Sequence, residues 1–139
     1  MLLIIALVTN TYRSVQHRRN AQQASAYKRI FSNYKSQAKK DGREFNLDFN
    51  AFKRLIRSDC YICGKPPSIL FKRSGRSGLA MYNGIDRIDS SLGYTASNTR
   101  PCCSVCNRMK SDFKMNKFKK HIKRIAETGL LFKPKKDKV

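Results

Sequence analysis

A chain of 139 residues with 30 Lys and Arg against 9 Asp and Glu carries a formal charge of +21, spread along nearly its whole length. Such an excess calls for a densely anionic partner, most commonly nucleic acid; a merely soluble basic surface explains it poorly, and no long basic amphipathic helix favours an anionic membrane. Length and an apolar fraction of 40% set one small domain with basic extensions, whose core is small enough to lean on a metal.

The N-terminal run Leu2–Val8 is apolar but too short to span a bilayer, and it has neither a basic segment before it nor a small-residue cleavage site after it. Residues 1–23 therefore read as an apolar and basic lead-in that packs on the domain or on a partner. The acid-poor stretch from Tyr12 to Lys40 leaves an organelle-targeting segment as the alternative. Residues 24–57 form a helical basic region. From Ala24 to Lys40, Tyr27, Ile30, Phe31, Tyr34 and Ala38 recur at three- and four-residue steps, which predicts an amphipathic helix ended by Gly42. Its outer face carries Lys28, Arg29, Lys35, Lys39 and Lys40. Asp48 is placed to cap a second helix that turns Phe49, Phe52, Leu55 and Ile56 inward.

Residues 58–113 hold the motifs. Cys60-Tyr-Ile-Cys63-Gly64 opens the segment, and Cys103-Ser-Val-Cys106 comes near its end. Two thiolate pairs of this spacing complete a tetrahedral four-sulfur site, and structural Zn²⁺ is the expected occupant; a redox dithiol or plain buried cysteines are the competing reading. Cys102, next to a ligand in an extended segment, is expected to point into the core. Five cysteines arranged this way indicate a reducing, intracellular compartment rather than a disulfide framework. Between the pairs, Ser74–Gly78 reads as a Gly/Ser loop. A strand is expected over 81–88, a turn through 90–93, a return strand over 95–102, and then a helix holding Asn107 and Lys110. Residues 114–139 complete the chain: an amphipathic helix over 116–128 with Phe118, Ile122 and Ile125 inward, ended by Gly129, and a disordered basic tail from Lys133.

The composite I-D-R-I (Ile85–Ile88), Asn98 and C-N-R-M-K (Cys106–Lys110) resembles the HNH nuclease family, in particular its small phage-type members with a D-R-I-D…G-Y…N…C-C-x-x-C-N-x-x-K signature. The resemblance covers residues 58–113 well and the flanking helices more loosely. It implies an α+β fold, a small zinc-bound ββα-metal core flanked by amphipathic helices, and metal-dependent hydrolysis of phosphodiester bonds in DNA, double-stranded DNA being the expected partner. On that likeness Asp86 and Asn107 would ligate a Mg²⁺ or Mn²⁺ ion and Asn98 would tie the loop and orient the base. Arg87 stands where the family has its histidine base. Arginine does not accept a proton at working pH, so it is left to bind phosphate. Another base, Asp89 first and His121 after it, or unaided hydroxide, or a dead site follows; His17 has no supporting context. Arg73, Arg76, Arg100, Arg108, Lys110, Lys117, Lys120 and Lys123 are the expected nucleic-acid contacts. The second function class is a zinc-scaffolded nucleic-acid binder without catalysis, for example a ribonucleoprotein component. The missing histidine favours it, and the retained Asp86, Asn98 and Asn107 favour the nuclease.

Overall fold

A computed structural model describes the backbone of residues 2–73 and 76–128 and the side chains of 11–72 and 80–128. The expected inward packing of Leu2–Val8, the start of the Ser74–Gly78 loop, the stop at Gly129 and the tail from Lys133 lie outside these described parts.

The first helix, α1 (Leu2–Lys40), runs far beyond the stretch that the apolar spacing marked. No Gly or Pro occurs before Gly42, and Ala, Gln and Arg dominate residues 16–24, so nothing in the local sequence stops the helix earlier. The boundary drawn at residue 23 falls inside it. Ala26, Tyr27, Ile30 and Ala38 are buried along one face, with Phe31 and Tyr34 half-buried beside them. The helix closes where Gly42 takes φ +64 and the Arg43 N–H donates to Ala38 O at 2.8 Å. A left-handed residue at this point satisfies a terminal carbonyl at little steric cost only if it is glycine. Helix α2 (Phe49–Ile56) begins as expected, with Asp48 Oδ1 accepting from the Ala51 N–H at 2.8 Å.

These helices meet over an aromatic core. Phe31 contacts Phe45, Phe49 and Phe52 edge-on, with centroids 5.5, 5.6 and 5.3 Å apart. Phe52 and Ile56 are completely buried, each contributing about 2–3 kcal/mol by removal of apolar surface from water.

The strands differ from the expectation. One hairpin, β1 (Ile69–Arg73) with β2 (Arg76–Tyr82), precedes the motif, where no strand is expected before residue 81. The single strand expected over 81–88 is divided between β2 and β3 (Gly84–Arg87). Asn83 makes the break. Its N–H donates to Ile56 O and its Nδ2 to Ser58 O and Lys65 O, so its hydrogen bonds leave the ladder for α2 and the first cysteine turn. Strand β3 pairs antiparallel with β4 (Thr99–Cys102), shorter than the return strand expected over 95–102. Residues 88–98 instead form a closed loop. Helices α3 (Ser104–Lys110) and α4 (Met115–Glu127) follow, α4 burying Phe118 with Ile122 and Ile125 half-buried. Among the described residues no helix is long and apolar enough to cross a membrane.

Candidate functional site

The cysteine cluster comes first because it fixes the elements around it. Cys60 and Cys63 lie in a turn closed by the Gly64 N–H donating to Cys60 O at 2.8 Å, with Gly64 at φ +72. Cys103 caps α3, its Sγ accepting from the Cys106 N–H. The Sγ atoms of Cys60, Cys63, Cys103 and Cys106 lie within 4.8 Å of one another, and those of Cys63 and Cys103 are 3.8 Å apart. A tetrahedron with Zn–S bonds of about 2.3 Å has edges of about 3.8 Å, so the four sulfurs already stand at the spacing a metal ion needs. All five cysteines are free thiols. Cys102 is completely buried, but against the cysteines rather than in the aromatic core expected for it, with its Sγ 4.0 Å from that of Cys60, and burial pushes its thiol pKa up.

Strand β3 presents two faces. Because neighbouring residues alternate, Ile85 and Arg87 point to the aromatic core, and Asp86 points the other way, opposite Arg100 of β4. Asp86 is 5% exposed and has both carboxylate oxygens engaged. Tyr61 donates its hydroxyl to Oδ2 at 2.6 Å. Lys110, at 0% exposure, donates from Nζ to Oδ1 at 3.1 Å and to the Arg87 carbonyl at 2.9 Å. Burial, then the bond to Asp86, pushes the Tyr61 pKa up, so Tyr61 keeps its proton and acts as donor. Asn107 stands three residues before Lys110 on α3 and is half-buried.

Lys110 is therefore corrected from a surface phosphate contact to an internal cation. Tyr61 was not singled out by the sequence; its only advance signal was adjacency to a metal-ligand cysteine. Both reach Asp86 through the cysteine cluster, since Tyr61 rides on the first turn and Lys110 on the helix that begins at the second.

Arg87 is also corrected. Its guanidinium lies over the Tyr94 ring, 5.3 Å from the centroid, and Nη1 donates to Ser90 O at 2.7 Å and Leu92 O at 2.9 Å. It fastens the loop from within, on the core face of β3, and does not share Asp86's face. The reason is strand parity: a residue adjacent to Asp86 in β3 must point the opposite way. Asn98 fastens the same loop. Its Nδ2 donates to Asp89 O and Gly93 O, and its Oδ1 accepts from the Asp89 N–H. Gly93 lets the loop dock on Glu44, where an added Cβ would lie 2.5 Å from the carbonyl oxygen. Asp89 caps a turn, its Oδ1 accepting from the Ser91 N–H and hydroxyl. Those two bonds lower its pKa, which makes it a weaker proton acceptor than an ordinary carboxylate.

The remaining described residues of the expected set are exposed or half-buried. Arg100 is half-buried on the Asp86 face and donates to Ala96 O and Thr99 O. Arg108, Lys117, Lys120 and His121 are exposed on α3 and α4, Lys117 lying over Phe113, and Lys123 pairs with Glu127 at 3.7 Å. His17 is exposed on α1, remote in sequence from every site element. The side chains of Arg73 and Arg76 are outside the described residues.

No protein-family model matches the chain. Over 86 residues, 62% of its length, the chain is 36% identical to an uncharacterised protein of Acanthamoeba polyphaga mimivirus, and the match spans 14% of that relative. Among solved structures the chain is similar to the rare-cutting HNH restriction endonuclease PacI, with a TM-score of 0.51 and 23% identity, over 73% of this chain and 78% of that one. At that identity the likeness concerns the fold: the chain is a small α+β domain with an HNH-like core and a four-cysteine cluster positioned for a metal ion.

Proposed function

We propose that the domain is a metal-dependent nuclease that hydrolyses phosphodiester bonds in DNA at the Asp86 face. One observation carries the reading most: a buried carboxylate and a main-chain carbonyl form an oxygen pocket that holds a cation, the Lys110 ammonium. Oxygen donors of this kind suit Mg²⁺ or Mn²⁺, and Asp86 with Asn107 would hold the ion. Such an ion supplies charge at the leaving oxygen and acidifies a bound water. The chain's own groups then have separable tasks. Tyr61 orients the Asp86 carboxylate, Arg87 and Asn98 hold the loop that borders it, and Arg100 with Arg108, Lys117 and Lys120 offers donors to the phosphate backbone. Zn²⁺ in the four-sulfur cluster would have a structural part only, since four thiolates leave no open position.

The second reading, a nucleic-acid binder that does not cut, is favoured by the same contacts seen differently. Lys110 and Tyr61 already satisfy both oxygens of Asp86, and neither of these two partners is a ready base. Nicking of supercoiled plasmid with Mg²⁺ or Mn²⁺ separates the two, with Asp86→Ala and Asn107→Ala alongside and DNA binding measured for each. Loss of nicking in both variants with binding retained supports the nuclease. Binding without nicking at any pH, or nicking that survives both substitutions, removes it.

A further inference from the structure

Residues 1–40 contain eight Lys and Arg and no acidic residue; the first acid is Asp41. Nearly all of this segment is one uninterrupted helix, α1. Its second half is clamped to the core by Ala26, Tyr27, Ile30 and Ala38, whereas residues 11–25 are exposed apart from the half-buried Val15 and Gln16. The stretch 11–25, exposed and without an apolar stripe, has little tertiary support of its own, and isolated helices are marginal in water.

Five of the eight cations fall in two rows, and Arg13, Arg19 and Lys35 lie outside them. Arg18, Arg29 and Lys40 recur every eleven residues, and Lys28 and Lys39 form a second row beside them. Eleven residues are three turns plus about 20°, so each row runs nearly parallel to the helix axis with a repeat of about 16.5 Å and a length of about 33 Å for three members. All five side chains are exposed, and the face they share is turned away from the buried one. None belongs to an ion pair among the described residues.

One turn of B-DNA is about 34–36 Å, and a rod lying along the duplex crosses a phosphate strand twice per turn, on average every 17 Å or so. We propose that the outward face of α1 is a docking surface for duplex DNA, meeting successive backbone crossings over one turn through Arg18, Arg29 and Lys40, with Lys28 and Lys39 flanking them. This rests on the nucleic-acid reading above and adds where, and over what length, the duplex is held. Each row residue that neutralises a phosphate contributes about 0.9 to the salt slope of binding.

The test is equilibrium binding of the full chain to a 30-base-pair duplex across a NaCl series, read by fluorescence anisotropy. Arg18→Gln/Arg29→Gln/Lys40→Gln should flatten the slope by roughly 2–3 and weaken binding at least about tenfold at 0.1 M salt, with helix content by circular dichroism unchanged. A charge-preserving variant, Arg18→Gln/Gln23→Arg, moves one arginine about 140° around the helix. It should lose about one phosphate contact's worth of slope although the net charge stays the same. Unchanged slope and affinity in the triple variant overturn the docking surface, as does a relocated arginine that binds as the native chain does. If the native chain itself fails to bind the duplex at 50 mM salt, this inference and the nucleic-acid reading fall together.

Discussion

Replacing Lys110 by Met tests the centre of the site, because Met fills a similar volume and removes only the charge and its bonds. Lys110 is fully buried and Asp86 nearly so, and Nζ is shared between Asp86 Oδ1 and the Arg87 carbonyl. Removing one member of a buried pair typically costs about 3–5 kcal/mol, because the remaining charge keeps its desolvation penalty and loses its partner. Tyr61 still bonds Oδ2, which places the expectation at the lower end, about 3 kcal/mol, or a Tm drop on the order of 10 °C for a domain of this size. The double variant Asp86→Asn/Lys110→Met should recover part of that loss, since it leaves no buried charge unpaired. In the single variant, Mn²⁺ should raise Tm more than it does in the native chain, because the oxygen pocket then has no resident ammonium; saturation at about 100 times Kd corresponds to about 2.7 kcal/mol. The assay is differential scanning fluorimetry with and without metal. A Lys110→Met variant as stable as the native chain, or one indifferent to Mn²⁺, would refute the view of Asp86 as a cation-holding carboxylate.

Three further outcomes follow from the geometry. Cys106→Ser should release about one equivalent of zinc, by metal analysis of the purified chain, and should also abolish divalent-metal binding at Asp86, since Tyr61 and Lys110 are both carried by the cysteine turns; zinc loss with the Asp86 site intact would separate the two. Arg87→Ala should cost about 2–3 kcal/mol in chemical denaturation and speed proteolysis within residues 88–98, because two charge-assisted bonds to the loop and the stacking on Tyr94 go together. Burial raises the Tyr34 pKa to about 12, so the fold favours its neutral form: this stabilisation is complete below pH 10 and is lost as pH rises towards 12. Tyr34→Phe should remove Tyr34's share of the alkaline stability loss across that window, followed by Tm and by absorbance at 295 nm.

Much of the architecture could be read locally. The burial of Tyr27, Ile30 and Ala38, the Asp48 cap, the Gly42 stop and the two cysteine turns each depend on a few consecutive residues whose spacing has one good solution. The return strand after the 90–93 turn and the helix after the second cysteine pair were legible in the same way, and they form as β4 and α3. The length of α1 was missed because periodicity marks where a helix is buried, whereas the helix itself persists until something ends it. The strand break at Asn83 was missed because the partners of its hydrogen bonds, Ile56, Ser58 and Lys65, come from remote parts of the chain.

The site divides the same way. Residue type and spacing settle the four thiols, the carboxylate at Asp86 and the strongly cationic composition. They could not determine which cations face outward. Lys110 and Arg87 look like two more basic residues in a row of thirty, yet one is sealed against Asp86 and the other is locked under its own loop. Strand parity, the course of α3 and the cysteine cluster decide those positions together, and they exist only once distant segments have been brought into contact. Burial then turns a generic charge into a specific partner, because a desolvated ammonium or guanidinium must find its oxygens within the protein.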